Sequence, residues 1–186
     1  MSIRADEVAE ADVRTRLEQA IVTLRRVDAD LFAAGASERS LTHRLACHLT
    51  ALFPDWHVDC EYNRRHTGPK RLLHLRELFR NKRIEPDDDD GPTVFPDVIV
   101  HHRGAKNNLL VVEAKKHSSP DQERDREKLK RYLLDPRLRY RFGAFVLFYT
   151  GRGAHHTEWN WYSREKLRDR DNRVEMWRLR TRGRTL

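Results

Sequence analysis

The chain has 186 residues, a length suited to one domain with a sizeable core, and a formal net charge of +8. Hydrophobic residues make up 38% and charged residues 35% of it, without an apolar run near the roughly eighteen residues of a membrane span and without a signal-like start. Its two cysteines, Cys47 and Cys60, lack the paired spacing of a zinc site and provide no disulfide framework. A cytoplasmic protein without membrane association is therefore expected.

Two amphipathic helices are predicted in the first third of the chain. Apolar residues recur at intervals of three and four from about Ala5 to Phe32, and Gly35 stops this helix. The second helix begins near Ser37, a suitable N-cap, and ends before Pro54. Glu38 stands at the head of the apolar stripe of this second helix.

A strand with alternating side chains is predicted over Trp56–Tyr62, and residues 63–93 then break the pattern and are interpreted as an insertion. Two apolar runs make up Phe95–Lys116, and the short loop between them, Gly104-Ala105-Lys106, predicts a β-hairpin. The remaining predicted elements are a helix over Asp121–Leu134, a buried strand over Phe142–Tyr149, a short helix near Ser163–Arg168 and a strand near Arg173–Leu179.

This order of elements predicts a three-layer α/β fold, with a central mixed β-sheet flanked by helices. The whole chain is interpreted as a single domain. Its parts are an N-terminal helix within residues 1–35, a core over residues 37–150 that contains the insertion, and a C-terminal extension over residues 151–186.

The positive charge favours a polyanionic partner, and nucleic acid is the expected one. Residues 64–83 carry eight Lys and Arg against one acid, and a second basic region runs from Arg178 to Arg184. Such residues contact phosphates or form a solvated basic face, and the sequence leaves both interpretations open. In the first region, Arg80, Lys82 and Arg83 are the predicted nucleic-acid contacts.

Three ionisable residues meet at the end of the predicted hairpin. Counting outward from Ala105, at the centre of the loop, places Asp97 opposite Glu113. Because side chains alternate along a strand, Glu113 and Lys115 share one face. Two carboxylates this close repel each other unless a cation lies between them, and Mg²⁺ takes one or two protein carboxylates together with water and substrate phosphate. With Lys115 beside the same phosphate, the pattern predicts hydrolysis of phosphodiester bonds. The alternative is that Asp97 is a turn residue and Glu113–Lys116 a solvated strand end.

The segments Pro96-Asp97 and Glu113-Ala114-Lys115 resemble the motif of the PD-(D/E)xK nuclease superfamily, and the order of elements from Ser37 to Tyr149 is similar to its core. The resemblance implies a restriction-endonuclease-like fold in which Asp97 and Glu113 bind the metal and Lys115 lies at the catalytic water. It also implies a metal-binding glutamate from the first core helix, and Glu38 fits that place. Glu38 equally fits a first-turn acid favoured by the helix dipole.

Further contacts follow from the same resemblance. Lys128 and Tyr132, on the helix after the motif, resemble positions that face the phosphate, and Lys116 is a further predicted nucleic-acid contact. The implied function is that of a Mg²⁺-dependent endonuclease, with Mn²⁺ able to substitute and DNA as the expected substrate. The alternative is an inactive nuclease-like subunit that binds nucleic acid within a larger complex. Whether the chain forms a homodimer or needs a partner protein stays open.

Aromatic residues and histidines are less informative. Trp159, Trp161 and Trp177 are interpreted as core residues, with stacking on bases as the alternative. His101-His102 lie in a predicted strand and His155-His156 in a predicted loop, and surface or core positions are favoured over metal ligation.

Overall fold

A computed structural model describes residues 4–62, 64–65, 68–69, 95–169 and 175–180. The helices are α1 (Glu10–Val27), α2 (Ala29–Ala33), α3 (Glu38–Leu52), α4 (Gln122–Leu134) and α5 (Arg164–Arg168), with 3₁₀ turns at Ala5–Glu7 and Gly151–Gly153. The strands are β1 (His57–Cys60), β2 (Arg64–Arg65), β3 (Gly68–Pro69), β4 (Val98–His102), β5 (Asn107–Lys116), β6 (Phe142–Phe148), β7 (His156–Ser163) and β8 (Glu175–Arg180). None of the helices in these ranges has the length and apolar character needed to cross a membrane.

The fold is the mixed α/β arrangement with a central mixed sheet that the sequence predicts, and the sheet has six strands. The strand order is β1-β4-β5-β6-β7-β8, in which β5 and β6 are parallel and the other neighbours are antiparallel. The parallel pair is joined through α4, as a crossover connection requires. The small β2–β3 hairpin lies in the predicted insertion, most of which is outside the described residues.

Two apolar clusters lie on the two faces of the sheet. Helices α1 and α3 cover one face, where Leu17 of α1 and Leu45 of α3 are completely buried. Helix α4 covers the other face with Leu129 and Leu133. Gly143 of β6 allows this close approach, because a Cβ atom there would lie 3.1 Å from Leu133 Cδ1 and 3.2 Å from Leu129 Cδ1.

The N-terminal helix differs from the prediction, because it is divided into α1 and α2. Asp28 separates them with non-helical backbone angles (φ −108°, ψ 31°). Its carboxylate accepts hydrogen bonds from Arg44 Nε and pairs with His48 Nε2 of α3, each at 2.7 Å. The predicted start of α3 is confirmed, since the Ser37 hydroxyl accepts a hydrogen bond from the Ser40 amide at 3.1 Å.

Strand β7 is an element that the sequence reasoning missed. It begins at His156, so the prediction that His156 lies in a loop is wrong. Trp159 and Trp161 of this strand are each only 2% exposed, which confirms their interpretation as core residues. Strand β8 confirms the strand predicted near Arg173–Leu179.

Candidate active site

Six ionisable side chains converge where β4 begins and β5 ends, and we call them the carboxylate–lysine cluster. They come from α3, from the residue before β4, from β5 and from α4. The members are Glu38 at the start of α3, Asp97 just before β4, Glu113 and Lys115 in β5, and Asp125 and Lys128 in α4.

The predicted pairing of Asp97 with Glu113 is confirmed by the hairpin register. Val98 pairs with Val112, so the next position along the hairpin brings Asp97 beside Glu113. Asp97 Oδ2 accepts a hydrogen bond from the Ala114 amide at 2.8 Å, which fixes the carboxylate against the edge of β5. The two acids therefore occupy one small patch of the sheet, as the sequence reasoning requires.

The surroundings of Asp97 and Glu113 destabilise the charged forms of both carboxylates. Glu113 is completely buried, and this burial, together with the nearby charge of Asp97, raises its pKa well above the ordinary value. Burial also raises the pKa of Asp97, although the Ala114 amide and two lysines act in the opposite direction. In their charged forms these groups therefore need a cation close to them.

Lys128 supplies one such cation. Its Nζ lies 2.6 Å from Glu113 Oε2, and this ion pair, outweighing the opposing effect of burial, raises the pKa of Lys128. Glu113 Oε1 is buried as well and has no hydrogen-bond donor within the described ranges. That Lys128 contacts a phosphate stays a prediction; what the structure shows is that its ammonium group lies in the cluster.

Lys115 lies between two further acids. Its Nζ donates to Glu38 Oε1 at 2.9 Å and lies 3.5 Å from Asp125 Oδ2. Burial acts to lower the pKa of Lys115, but the hydrogen bond to Glu38 and the charge of Asp125 raise it overall. This lysine is therefore a permanent cation at neutral pH.

Asp125 is a member of the cluster that the sequence reasoning missed. Its two oxygens lie 3.5 Å from Lys115 Nζ and 3.6 Å from Lys128 Nζ, so it holds both ammonium groups. The sequence did indicate its contact with Lys128, because Asp125 and Lys128 are three residues apart on one helix and such residues share a face. Its proximity to Lys115, however, depends on how α4 crosses the sheet.

The structure gives Glu38 a different environment from the predicted metal shell. Its Oε1 accepts from Lys115 Nζ, and its Oε2 accepts from the Lys116 amide at 3.1 Å and from Ser119 Oγ at 3.2 Å. Within the part of the chain that is described, no three Asp, Glu, His or Cys side chains form a metal-binding group. The predicted set of three carboxylate ligands is therefore not found, because Glu38 is occupied in joining α3 to the end of β5.

The predicted nucleic-acid contacts have three outcomes. Arg80, Lys82 and Arg83 lie outside the described residues. Lys116 is partly buried, and its Nζ donates to the Gly35 carbonyl at 2.9 Å. Tyr132 is completely buried and packs edge-on against the ring of Tyr140. Its hydroxyl is buried and close enough to Glu113 for the two groups to interact, and contact of Tyr132 with a phosphate stays a prediction.

A cleft of about 640 Å³ leads to the cluster from the surface. It runs between the first turns of α3 and the end of β1, and it exposes Glu38 and Asp97 at its floor. The other residues that line the cleft are Ser37, Arg39, Thr42, His43, Cys60 and Glu61. A cleft of this size is large enough to admit part of a polymeric substrate.

The balance of charge in the cluster favours a divalent cation. Four carboxylates face two ammonium groups, so the formal charge is −2 when every group is ionised. Asp97 and Glu113 are two neighbouring acids with raised pKa values, and Glu113 Oε1 lacks a donor in the described structure. Mg²⁺ needs only one or two protein carboxylates, so these two residues fit it.

No protein-family model matches the sequence, and a search of curated proteins finds no significant match. Similarity to a known protein therefore supplies no function for the cluster. Its function has to follow from the chemistry of its residues and from their positions in the sheet.

Proposed function

We propose that the protein is a divalent-metal-dependent nuclease of the PD-(D/E)xK type, which hydrolyses phosphodiester bonds in DNA. The observation that carries this proposal is the adjacent placement of Asp97 and buried Glu113 beside two lysine ammonium groups, next to a cleft that Asp97 lines. An antiparallel hairpin followed by a helical crossover to a parallel strand, β4-β5-α4-β6, supports a restriction-endonuclease-like core.

In this proposal Asp97 and Glu113 hold Mg²⁺, and Mn²⁺ can replace it. The bound ion supplies a positive charge that polarises a phosphate oxygen and lowers the pKa of a water molecule. Glu113 is suited to this role because its buried Oε1 has no donor among the residues described. Asp97 is suited to it because the Ala114 amide fixes its orientation through the other carboxylate oxygen, Oδ2.

Lys115 acts as a fixed positive charge rather than as a base. Its raised pKa means that it keeps its proton at neutral pH and cannot accept one from an attacking water. An ammonium group held at this position stabilises negative charge that develops on the phosphoryl oxygens. Glu38 and Asp125 are positioning residues in this scheme, because they orient the Lys115 ammonium group on two sides.

Nucleic acid is the substrate class that best fits the remainder of the chain. The formal net charge is +8 although the cluster itself is acidic, so the excess positive charge lies elsewhere on the protein. A basic surface attracts the phosphate backbone, while a local acidic site recruits the metal ion. Binding is therefore expected to weaken steeply as the salt concentration rises.

Replacement of Lys115 by methionine tests the proposal. Methionine keeps most of the apolar stem and removes only the charge. We expect single-turnover cleavage of a labelled duplex in the presence of Mg²⁺ to slow by about a hundredfold or more, because the lost interaction forms mainly in the transition state. Affinity for the same duplex, measured by filter binding, should change little.

Lys130→Met is the matched control, since Lys130 lies on α4 but pairs with Glu127 rather than with the cluster. It should cleave like the wild type. Equal cleavage rates for wild type and Lys115→Met would place the active site elsewhere. Binding of DNA without any metal-dependent cleavage by the wild type would favour the alternative function, an inactive nuclease-like subunit.

A further inference from the structure

A second cavity, of about 380 Å³, lies at the end of the sheet opposite to the carboxylate–lysine cluster. Asn107 and Asn108, the first residues of β5, line it, whereas Glu113 and Lys115 stand near the last residue of the same strand. We call it the basic cavity. Its charged lining residues are Arg4, Asp6, Lys106, Arg139, Arg141 and Arg164.

The charges around the basic cavity are unbalanced. Five cationic side chains line it together with a single acid, Asp6. That acid already forms an ion pair with one of the five cations, because its Oδ2 lies 3.1 Å from Arg4 Nη2. Arg141 Nε lies 4.0 Å from Glu165 Oε1, and the Glu165 side chain is 67% exposed. Among the described residues, the acids beside the cavity are therefore too few to neutralise its five cations.

Backbone carbonyls, and not acids, hold two of the arginines in place. Arg141 Nη1 donates to the carbonyls of Ala5, at 2.7 Å, and Val8, at 2.5 Å. Arg164 Nη1 donates to the carbonyl of Arg139 at 3.1 Å. Hydrogen bonds of this kind orient a guanidinium group while leaving its charge uncompensated. These two cations are thus fixed before any ligand arrives, which lowers the entropic cost of binding.

Arg164 has a hydrogen-bond donor beside the basic cavity that is unsatisfied within the described structure. Its Nε is buried and has no hydrogen-bond partner among the described residues. Burial lowers the pKa of Arg164, and the neighbouring charges of Arg168 and Arg139 lower it further. Arg139 itself has a left-handed backbone (φ +55°), a conformation that costs energy for a residue other than glycine and is frequent at binding sites. An anion in the cavity would relieve the repulsion between these groups.

We propose that the basic cavity binds a phosphate group, either of a small phosphorylated molecule or of the terminal phosphate of a nucleic-acid strand. Guanidinium groups suit phosphate because their planar N–H donors match its oxygens. A group with at least two negative charges fits five cations better than a single carboxylate does. The concave shape and limited volume favour a terminal phosphate over the continuous backbone of a duplex. This binding would not require the metal or the nuclease activity.

The test is titration calorimetry with inorganic pyrophosphate in the presence of EDTA. The variant Lys106→Gln/Arg139→Gln removes two exposed cations that are not among the arginines anchored to carbonyls, so it should fold normally. We expect its affinity to be at least about tenfold weaker than that of the wild type, because each charge-assisted hydrogen bond contributes on that scale. The control Arg26→Gln removes one positive charge at an exposed position of α1, away from the cavity lining, and should not alter affinity.

A second titration separates the two sources of phosphate. A 5′-phosphorylated single-stranded oligonucleotide is compared with its 5′-hydroxyl counterpart. A preference for the phosphorylated strand that the double variant loses identifies a strand end as the ligand, and equal binding of the two strands identifies a small free molecule. No binding of pyrophosphate to the wild type, or equal affinities for the wild type and the double variant, would overturn the proposal. Lys115→Met should bind pyrophosphate like the wild type, so a failure of the proposed nuclease function is distinguished from a failure of this site.

Discussion

A divalent cation should raise the thermal stability of this protein, and more so at high pH. Asp97 and Glu113 have pKa values above their ordinary range, chiefly because they are buried. From the ordinary carboxyl pKa of about 4 up to these raised values, the folded state binds more protons than the unfolded state. The free energy of unfolding therefore falls as pH rises through this window. A cation that binds both charged carboxylates reverses that loss.

The expected size of the effect follows from binding linkage. A ligand that binds only the folded state at about one hundred times its Kd contributes about 2.7 kcal/mol. For chains of about 150–250 residues, each kcal/mol shifts the melting temperature by about 2–4 °C. Saturating Mn²⁺ should therefore raise the melting temperature of this 186-residue chain by about 5–10 °C near pH 8. Near pH 5 protons compete for the same oxygens, and the shift should be smaller.

Scanning calorimetry with and without Mn²⁺ at both pH values measures this shift. Asp97→Asn is the test variant, because asparagine keeps an oxygen that can accept from the Ala114 amide and loses the charge. Asp30→Asn, at an exposed position of α2, is the matched control and should respond to Mn²⁺ like the wild type. A shift in Asp97→Asn as large as that in the wild type, or no shift in the wild type, would refute the reasoning.

Two further predictions concern α4, which carries Asp125 and Lys128. Tyr132→Phe should raise the free energy of unfolding by about 1 kcal/mol in urea titrations, since the buried hydroxyl has no partner among described residues; a loss of stability would show that it is hydrogen-bonded. Gly143→Ala should lower that free energy by about 1–3 kcal/mol, because its Cβ would crowd leucine side chains of α4 at 3.1–3.3 Å. An unchanged urea midpoint would mean that α4 moves away from the added methyl group without loss of stability.

Hydrophobic periodicity was sufficient to predict most of the elements. The apolar stripe from Leu41 to Leu52 identified α3, and the apolar run of Phe142–Tyr149 identified a strand buried on both faces. Strand β7 escaped this reasoning because it buries polar residues as well, including Thr157 and Asn160. Thr157 shares a face of the strand with Trp159 and Trp161, and Asn160 lies on the other face with Tyr162. Neither face of β7 is therefore uniformly apolar in the sequence.

In the candidate site, the sequence likewise predicts contacts between residues of one hairpin but not contacts that depend on helix packing. The motif residues Asp97, Glu113 and Lys115 lie on one hairpin, so counting along it could bring them together. The contact between Lys115 and Asp125 depends on the packing of α4 across the sheet, which no spacing encodes. Tyr132 shows the same limit, since helical spacing does not predict that its side chain is completely buried.

The count that paired Asp97 with Glu113 succeeded because of a β-bulge that the sequence does not reveal. Next to the loop, His101 pairs with Asn108, but beyond the bulge Val100 pairs with Leu110. The bulge leaves Leu109 of β5 without a partner in β4. If the pairing next to the loop continued without it, Asp97 would lie opposite Val112, whose side chain belongs to the apolar cluster covered by α1 and α3. A slip of one residue moves side chains to the other face of a sheet. The bulge is therefore what brings the two carboxylates together on the face covered by α4, where the lysines lie.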